Sequence, residues 1–309
     1  MASVTLRRMR SDRLEIREAR REDAQAALEL LLAESAPAER AGLATELFSA
    51  FTGSSSVCSG LYVVTEGEQL VGAGWGQRHQ GRTGSVWRPR FLGADIDLCG
   101  ARLTRLSADW LAARDLRLLQ SLVAPHDATA ARWLTECGFV HVARLGYLVW
   151  NDDYGSLAEP SLCFKAASPD ATGELAQVVE QSYIGTLDCP ALNELRSTSE
   201  VFEGYQEVGQ HWPEAWLIAW RENQPVGCLI LADHPASNQG ELVYMGIVPE
   251  CRGQGLSGQI VQRAKQLLRE RGRARLVLAV DLQNAPAIRL YDRQGFRLWD
   301  ERDVFVRRV

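Results

Sequence analysis

The densest chemistry in the sequence lies between Leu242 and Gly258. An apolar run, Leu242-Val243-Tyr244-Met245-Gly246-Ile247-Val248, enters Pro249-Glu250-Cys251-Arg252-Gly253-Gln254-Gly255-Leu256-Ser257-Gly258. Beyond the glycines, Leu256, Ile260, Val261, Ala264, Leu267 and Leu268 recur at helical spacing. Strand, glycine turn and helix in that order let backbone N–H groups crowd around an anion at a helix N-terminus, where the macrodipole also favours negative charge. This stretch is therefore expected to hold phosphates, although a lone loop of this kind is by default only a turn. Further on, Asn284 suits a helix N-cap, Pro286 the first turn and Gly295 the exit. Asn284, Ala287 and Tyr291 then share one helix face, an amide and a phenol aimed the same way. A cap and a half-buried core tyrosine would explain the same residues.

Spacing supports two further readings. Gly253-x-Gly255-x-x-Gly258 has the form of a dinucleotide fingerprint, with Asp281 ending a later strand over 276–280. Against it, Pro249 to Arg252 separates strand from glycines, too little chain remains for a doubly wound sheet, and Arg252 adds a cation where a dinucleotide meets mainly backbone. The polar segment from Asp188 to Arg196, with Asn193 between them, has groups able to orient a small ligand, and an ordinary helix cap and surface explains it nearly as well.

The elements that must position these groups occur twice. Leu14 to Ala19 runs into Arg21-Glu22-Asp23 and an apolar helical pattern, as Leu162 to Ala167 runs into Pro169-Asp170 and another. Tyr62-Val63-Val64 with Leu70 to Ala73 matches Trp216-Leu217-Ile218 with Pro225 to Cys228, each pair a predicted hairpin. Ala131 to Phe139 matches Ile288 to Phe296. Asp23 and Asp170, Gly72 and Gly227, and Gly138 and Gly295 lie 147, 155 and 157 residues apart, so the drift is loop-sized. One unit is expected to be present twice. The expected organisation is an N-terminal extension over 1–13, a first domain over 14–155 and a second over 156–309, with the joint where Asp, Gly, Ser and Pro cluster between Asn151 and Pro160. Both domains are expected to be α/β (mixed α+β), each a twisted mixed sheet flanked by helices.

Bulk properties fit this picture. The chain has 309 residues, 46% hydrophobic and 24% charged, the composition of a globular protein. A net charge of -5 argues against a nucleic-acid partner. No apolar stretch approaches a membrane span, and no apolar region comes after the basic run near Arg7, so a cytoplasmic location is expected. Seven cysteines without a C-x-x-C pair fit neither a disulfide framework nor a zinc site, and no metal is expected.

Arg252-Gly253-Gln254-Gly255-Leu256-Ser257 resembles the R/Q-x-x-G-x-G/A cofactor signature of the GCN5-related N-acetyltransferases (GNAT), with Ser257 in place of Gly or Ala. The Asn284 to Phe296 segment resembles the family's second signature. The tandem layout, with its specific motifs in the second repeat, resembles the mycothiol synthase type. The resemblance implies an N-acetyltransferase that moves an acyl group directly from acetyl-CoA to a primary amine of a small molecule or a peptide N-terminus. It implies that Met245 meets the acyl carbonyl and Ile247 the pantetheine amides at a strand bulge marked by Gly246, with the pyrophosphate on Arg252, Gly253, Gln254, Gly255, Leu256, Ser257 and Gly258. Asn284 would hold the pantetheine arm and Tyr291 would protonate the leaving thiolate. Glu241 stands where many members carry a base, about 13 Å along the strand from Met245, which requires a relay. A solvated strand-edge glutamate is the equal alternative, and His234 is the reserve base. The acceptor would lie against Asp188, Asn193 and Arg196. In the first repeat Asp127 and Leu134 replace Asn284 and Tyr291, and Val86 to Gly93 lacks the glycine signature, so that repeat reads as a scaffold. A non-catalytic acyl-CoA-binding or sensor protein is the alternative function, and the oligomeric state stays open.

Overall fold

A computed structural model describes residues 14–34, 58–93, 97–167, 173–193 and 195–309, together with Asp170 and a few positions between 40 and 48. The expected 1–13 extension lies outside the described residues. The chain divides into two compact units, one of residues 1–141 with 304–309 and one of residues 142–303.

The first unit runs β1 (Leu14–Glu18), α1 (Arg21–Leu31), β2 (Leu61–Glu66), β3 (Gln69–His79), β4 (Thr83–Val86), β5 (Arg90–Phe91), α2 (Asp97–Ala112), β6 (Leu118–Val123) and α3 (Ala128–Glu136). The predicted acidic helix start is used as a cap. The Asp23 carboxylate accepts the Arg20 N–H at 2.7 Å and a bidentate bond from Arg17. The β2–β3 hairpin turns at Gly67, whose positive φ of 62° suits glycine. Strands β1 to β4 pair antiparallel in sequence order, and β4 pairs with β6 in parallel. Residues 304–309 complete this unit. Phe305 packs with Leu119, Leu134 and Phe139, Arg307 donates to the Cys137 carbonyl at 3.1 Å, and the Val309 N–H donates to Arg117 O.

The second unit contains β7 (Val140–Asn151) from Val142 onward, β8 (Cys163–Ala166), α4 (Glu174–Tyr183), α5 (Thr198–Glu207), β9 (Gln210–Arg221), β10 (Gln224–His234), β11 (Gln239–Ile247), α6 (Leu256–Glu270), β12 (Arg275–Asp281), α7 (Ala285–Arg293) and β13 (Arg297–Arg308) up to Asp303. Its strands lie in the order β8-β9-β10-β11-β12-β7, with β11–β12 the parallel pair. Leu229, Leu231, Leu242, Leu276 and Leu278 meet Ile260, Ala264 and Leu268 of α6 on one face. Trp216, Ile218, Cys228 and Ile230 meet Val178, Val179 and Phe202 of α4 and α5 on the other. Each such fully buried side chain contributes about 1.5–3 kcal/mol. The helix patterns read from the sequence place these faces correctly.

The contact division falls at 141/142, earlier than the expected joint near 151–160. The reason is pairing: Leu145 to Asn151 of β7 lie against Asp281 to Arg275 of β12, which binds the strand to the second unit. The repeat itself extends to backbone detail. Asp127 and Asn284 are both N-caps, at φ/ψ -83/71° and -79/68°, accepting from Ala130 N and Ala287 N. Gly138 and Gly295 both leave their helices at φ near 80°, and Phe139 and Phe296 donate back to Leu134 O and Tyr291 O.

Candidate active site

Strands β11 and β12 are paired only at their roots. The parallel register runs Gln239↔Arg275, Gly240↔Leu276, Glu241↔Val277 and stops there. Strand β11 goes on to Ile247 against β10, and β12 goes on to Asp281 against β7, so the two edges facing each other part into a fork. The antiparallel alternation decides which backbone groups face the gap. The Val248 N–H donates to Val226 O, so Gly246, two residues earlier and opposite Cys228, also points toward β10. Met245 and Ile247, opposite Leu229 and Gly227, then turn their N–H and C=O groups into the fork.

The bulge lies at Val243, where the register jumps from Ile230↔Tyr244 to Leu231↔Leu242. It is three residues earlier than the glycine expected to mark it. The irregularity puts Val243 and Tyr244 on the same face, against α4 and α5, and returns Met245 to the α6 face. Gly246 serves close approach instead: a Cβ there would collide with Ser182 Oγ of α4.

Beyond the fork, Pro249–Cys251 forms a single 3₁₀ turn, and Gly253 and Gly255 take φ of 74° and 76°. A Cβ on either glycine would meet nothing within 4 Å, so the ground above them is open. Gly255 caps α6 without a side-chain bond. The N–H groups of Gly253, Gln254, Gly255, Leu256 and Ser257 find no acceptor among the described residues. That nest of donors at a helix N-terminus fits a pyrophosphate.

Two residues expected at the anion do other work. Arg252 spends its guanidinium on carbonyls, donating to Ile247 O at 3.1 Å, Ser182 O at 2.9 Å and Gly185 O at 3.3 Å. It ties the loop to the end of α4 instead of reaching a phosphate. The Gly258 N–H is taken by Gly255 O, and the Leu256 side chain is buried in the core. The cation that does stand beside the loop is Arg221, at the end of β9, donating to Gln254 Oε1 at 2.7 Å. Sequence reading misses it, because only the pairing of distant strands brings β9 to the glycines.

Comparison with known proteins agrees with this geometry. Residues 183–296 match the model of the acetyltransferase (GNAT) family. Those residues form a GNAT domain. The mycothiol acetyltransferase of Streptomyces bingchenggensis is 33% identical over 102 residues, 32% of this chain and 33% of that protein. An N-alpha-acetyltransferase of Arabidopsis thaliana is 26% identical over 122 residues, 37% of this chain and 64% of that one. The match thus spans about a third of the first relative's length and less than two thirds of the other's. In fold, a GCN5-related N-acetyltransferase from Sphaerobacter thermophilus superposes with a TM-score of 0.66 at 16% identity, over 96% of each chain. A tandem GNAT protein from the clavulanic acid biosynthesis pathway superposes with a TM-score of 0.59 at 15% identity, over 96% of this chain and 98% of that one. The fold of nearly the whole chain is that of tandem GNAT proteins.

Within the GNAT domain, Tyr291 lies on α7 with its ring against Phe296 and is only 6% exposed. Its phenolic oxygen, which is not sealed from solvent, makes no hydrogen bond to the described residues. Burial, reinforced by the charge of Asp188, raises its pKa well above the ordinary value and keeps the proton on. Asn284 caps α7 through Oδ1, accepting from Ala287 N at 3.3 Å, which leaves its amide N–H groups for a ligand. Glu241 and His234 meet: Nε2 and Oε2 are 2.9 Å apart at the root of the fork. That contact raises the His234 pKa against the opposing effect of burial. Asp188 is clipped to the tip of β12, its Oδ1 accepting from Asp281 N at 2.9 Å while Asp281 Oδ2 accepts from Cys189 N. Burial raises Asp188 as well and pushes the Cys189 thiol up to about 12. Asn193 ends the short turn Pro190–Leu192, and Arg196 reaches α5 beside Gly204.

Proposed function

We propose that this chain is an acetyl-CoA-dependent N-acetyltransferase acting by direct transfer on a primary amine of a small molecule or a peptide N-terminus. The observation that carries the reading is the fork. Met245 and the Ile247 N–H face a gap that begins beside the donor nest of Gly253 to Ser257, while the Ile247 carbonyl is taken by Arg252. The thioester supplies an activated acyl carbon. In the reaction the amine nitrogen loses a proton and bonds to that carbon, the carbon–sulfur bond breaks, and the thiolate takes up a proton. The Met245 N–H is placed to donate to the oxyanion, the task of a preorganised donor in a dry site. Tyr291, held protonated, is the acid for the thiolate. Glu241, oriented by His234, receives the amine proton through water.

The catalytic reading is favoured over a non-catalytic acyl-CoA sensor by Tyr291. A binding protein needs no protonated phenol left without a partner in its site. The names of the relatives, a mycothiol acetyltransferase and an N-alpha-acetyltransferase, support the same reaction class. We place the activity in the second unit alone and the protein in the cytoplasm. The test is an amine panel with acetyl-CoA, read by release of free thiol, alongside calorimetry for acetyl-CoA binding. Tight binding of acetyl-CoA with no turnover on any amine would return the sensor reading.

A further inference from the structure

Several charged side chains of this protein are held in ion pairs. Arg17 holds Asp23, Arg88 holds Asp127, Arg144 holds Asp303, Arg269 holds Asp152, and Arg271 with Arg273 holds Asp233. Beside the fork, Arg196 and Asp188 stand outside these pairs. The half-buried Arg196 guanidinium has no hydrogen-bond or ion-pair partner among the described residues. Asp188 has no cationic partner among them, and its only side-chain bond is the one from Asp281 N to Oδ1. Asp188 is exposed, but leaving the half-buried Arg196 without a partner is costly unless something else completes it.

Between them stand tyrosines. The Tyr183 and Tyr205 hydroxyls are 3.0 Å apart, Tyr205 stacks on Tyr244 at 5.8 Å, and Tyr183 meets Tyr244 edge-on at 5.4 Å. Arg196 lies against α5 at Gly204, next to Tyr205, with Nη1 3.3 Å from the place of a Cβ there. Asp188 sits at the β12 tip, and both charges act on the Tyr183 hydroxyl. The Asp188 charge also reaches Tyr291, whose partnerless phenol marks where the acyl group must lie. One wall of the acceptor site therefore runs from an anion near the reacting end, along aromatic rings, to a cation at the far end.

We infer that the acceptor is an amino acid or a similar small zwitterion, its ammonium received by Asp188 and its carboxylate by Arg196. An Arg fork matches a carboxylate in geometry, and an ammonium is attracted by both a carboxylate and the faces of tyrosines. This rests on the acetyltransferase reading above. A bare amine would leave Arg196 uncompensated, and a simple acid would offer nothing to Asp188.

The experiment compares free L-amino acids with the same amino acids as carboxamides, by thiol release with acetyl-CoA. It uses the full chain and the Arg196→Gln, Arg196→Lys and Asp188→Asn variants. The free acids are expected to react with kcat/KM about tenfold or more above their amides, the worth of a charge-assisted contact. Arg196→Gln should remove that preference by lowering the acids and sparing the amides, with Arg196→Lys restoring part of it. Asp188→Asn should lower acids and amides together. Equal rates for acids and amides, or an Arg196→Gln variant of unchanged melting temperature that keeps the preference, would overturn the inference. So would acetyl-CoA binding without turnover of any free acid. Failure to bind acetyl-CoA at all would instead strike the acetyltransferase reading, and calorimetry on the wild type separates the two.

Discussion

The two units carry the same fork, and only one is open. In the first unit β4 and β6 pair in parallel over Thr83↔Leu118 to Ser85↔Gln120 and then stop, as β11 and β12 do after Glu241↔Val277. The chain beyond the last paired residue differs. Where the second unit has a glycine loop, the first has Trp87-Arg88-Pro89, and Arg88 forms an ion pair with Asp127, the cap that corresponds to Asn284. Ser121 Oγ donates to Val86 O across the gap at 2.7 Å, and Trp133 presses on Gly100. The remaining space, lined by Trp87, Arg88, Thr104, Ser121, Trp133 and their neighbours, has no room for even a water molecule. In the first unit one salt bridge joins the two lips of the fork. The lesson is that the fork is a product of the fold, while ligand binding depends on what lies at its mouth.

The sharpest break of this contrast is at Gly255. A Gly255→Val change puts a side chain into the open ground over the donor nest and strains a φ of 76°. Losing two charge-assisted bonds corresponds to about 100-fold or more in acetyl-CoA affinity. Calorimetry on wild-type chain should give one site, and the variant none. Two equivalent sites in the wild type would show that the first fork is not closed.

Tyr291 comes next. Tyr291→Phe keeps the ring on Phe296 and deletes the proton donor, so kcat should fall about 100-fold while the acetyl-CoA Kd holds. A core tyrosine without a chemical role would lower the melting temperature and leave turnover of folded protein unchanged.

Breaking the plug is a test of structure. Burial alone would raise the Asp127 pKa, but the bonds from Arg88 and the Ala130 N–H outweigh it and bring it below the usual carboxylate value. Arg88→Ala should therefore cost about 1–3 kcal/mol, by stranding a mostly buried carboxylate. The lowered value sets the sign with pH. Asp127's contribution is present above the ordinary carboxylate pKa and fades as pH falls through the folded one, so wild type and variant should converge in acid. No second acetyl-CoA site should appear, because the donor nest is still missing there.

The smallest effect concerns His234. Its raised pKa means that the contact with Glu241 stabilises the fold below the ordinary histidine pKa, and that this is lost as pH rises through the folded value. The pair is partly exposed, so His234→Asn should change stability by less than about 1 kcal/mol, and only on the acid side. Melting curves between pH 5 and 8, the window in which histidine titrates, would register it.

The sequence makes legible whatever depends on local spacing. Gly253 and Gly255 need positive φ, Asn284 is a cap three residues before the N–H it accepts, and α6 shows its stripe of Leu, Ile and Val. The duplication is readable for the same reason. What stays hidden depends on partners far away in the chain. Arg252 reads as a phosphate ligand because nothing nearby competes for it, yet Ser182 and Gly185, at and just beyond the end of α4, take it. Gly246 reads as a bulge because its neighbour Ser182 is distant in sequence, and the true bulge at Val243 shows only in the register with β10. The unpaired charges of Asp188 and Arg196 have no sequence signature at all, since lacking a partner is a property of the folded chain.

The ownership of residues 304–309 sets the order in which the protein can be finished. Phe305, Arg307 and Val309 close the core and edges of the first unit, so the whole second unit is an insertion within the first. The second unit is therefore synthesised before the last residues of the first. Closing the first unit means bringing His141 and Val304 together, a loop whose entropic cost is lowered once the intervening residues have already folded. Synthesis runs from the first unit to the second, and consolidation is expected to run the other way, with the first unit waiting as an unfinished surface for chaperones and proteases. Removing residues 304–309 should consequently expose the first unit to proteolysis while the second unit resists.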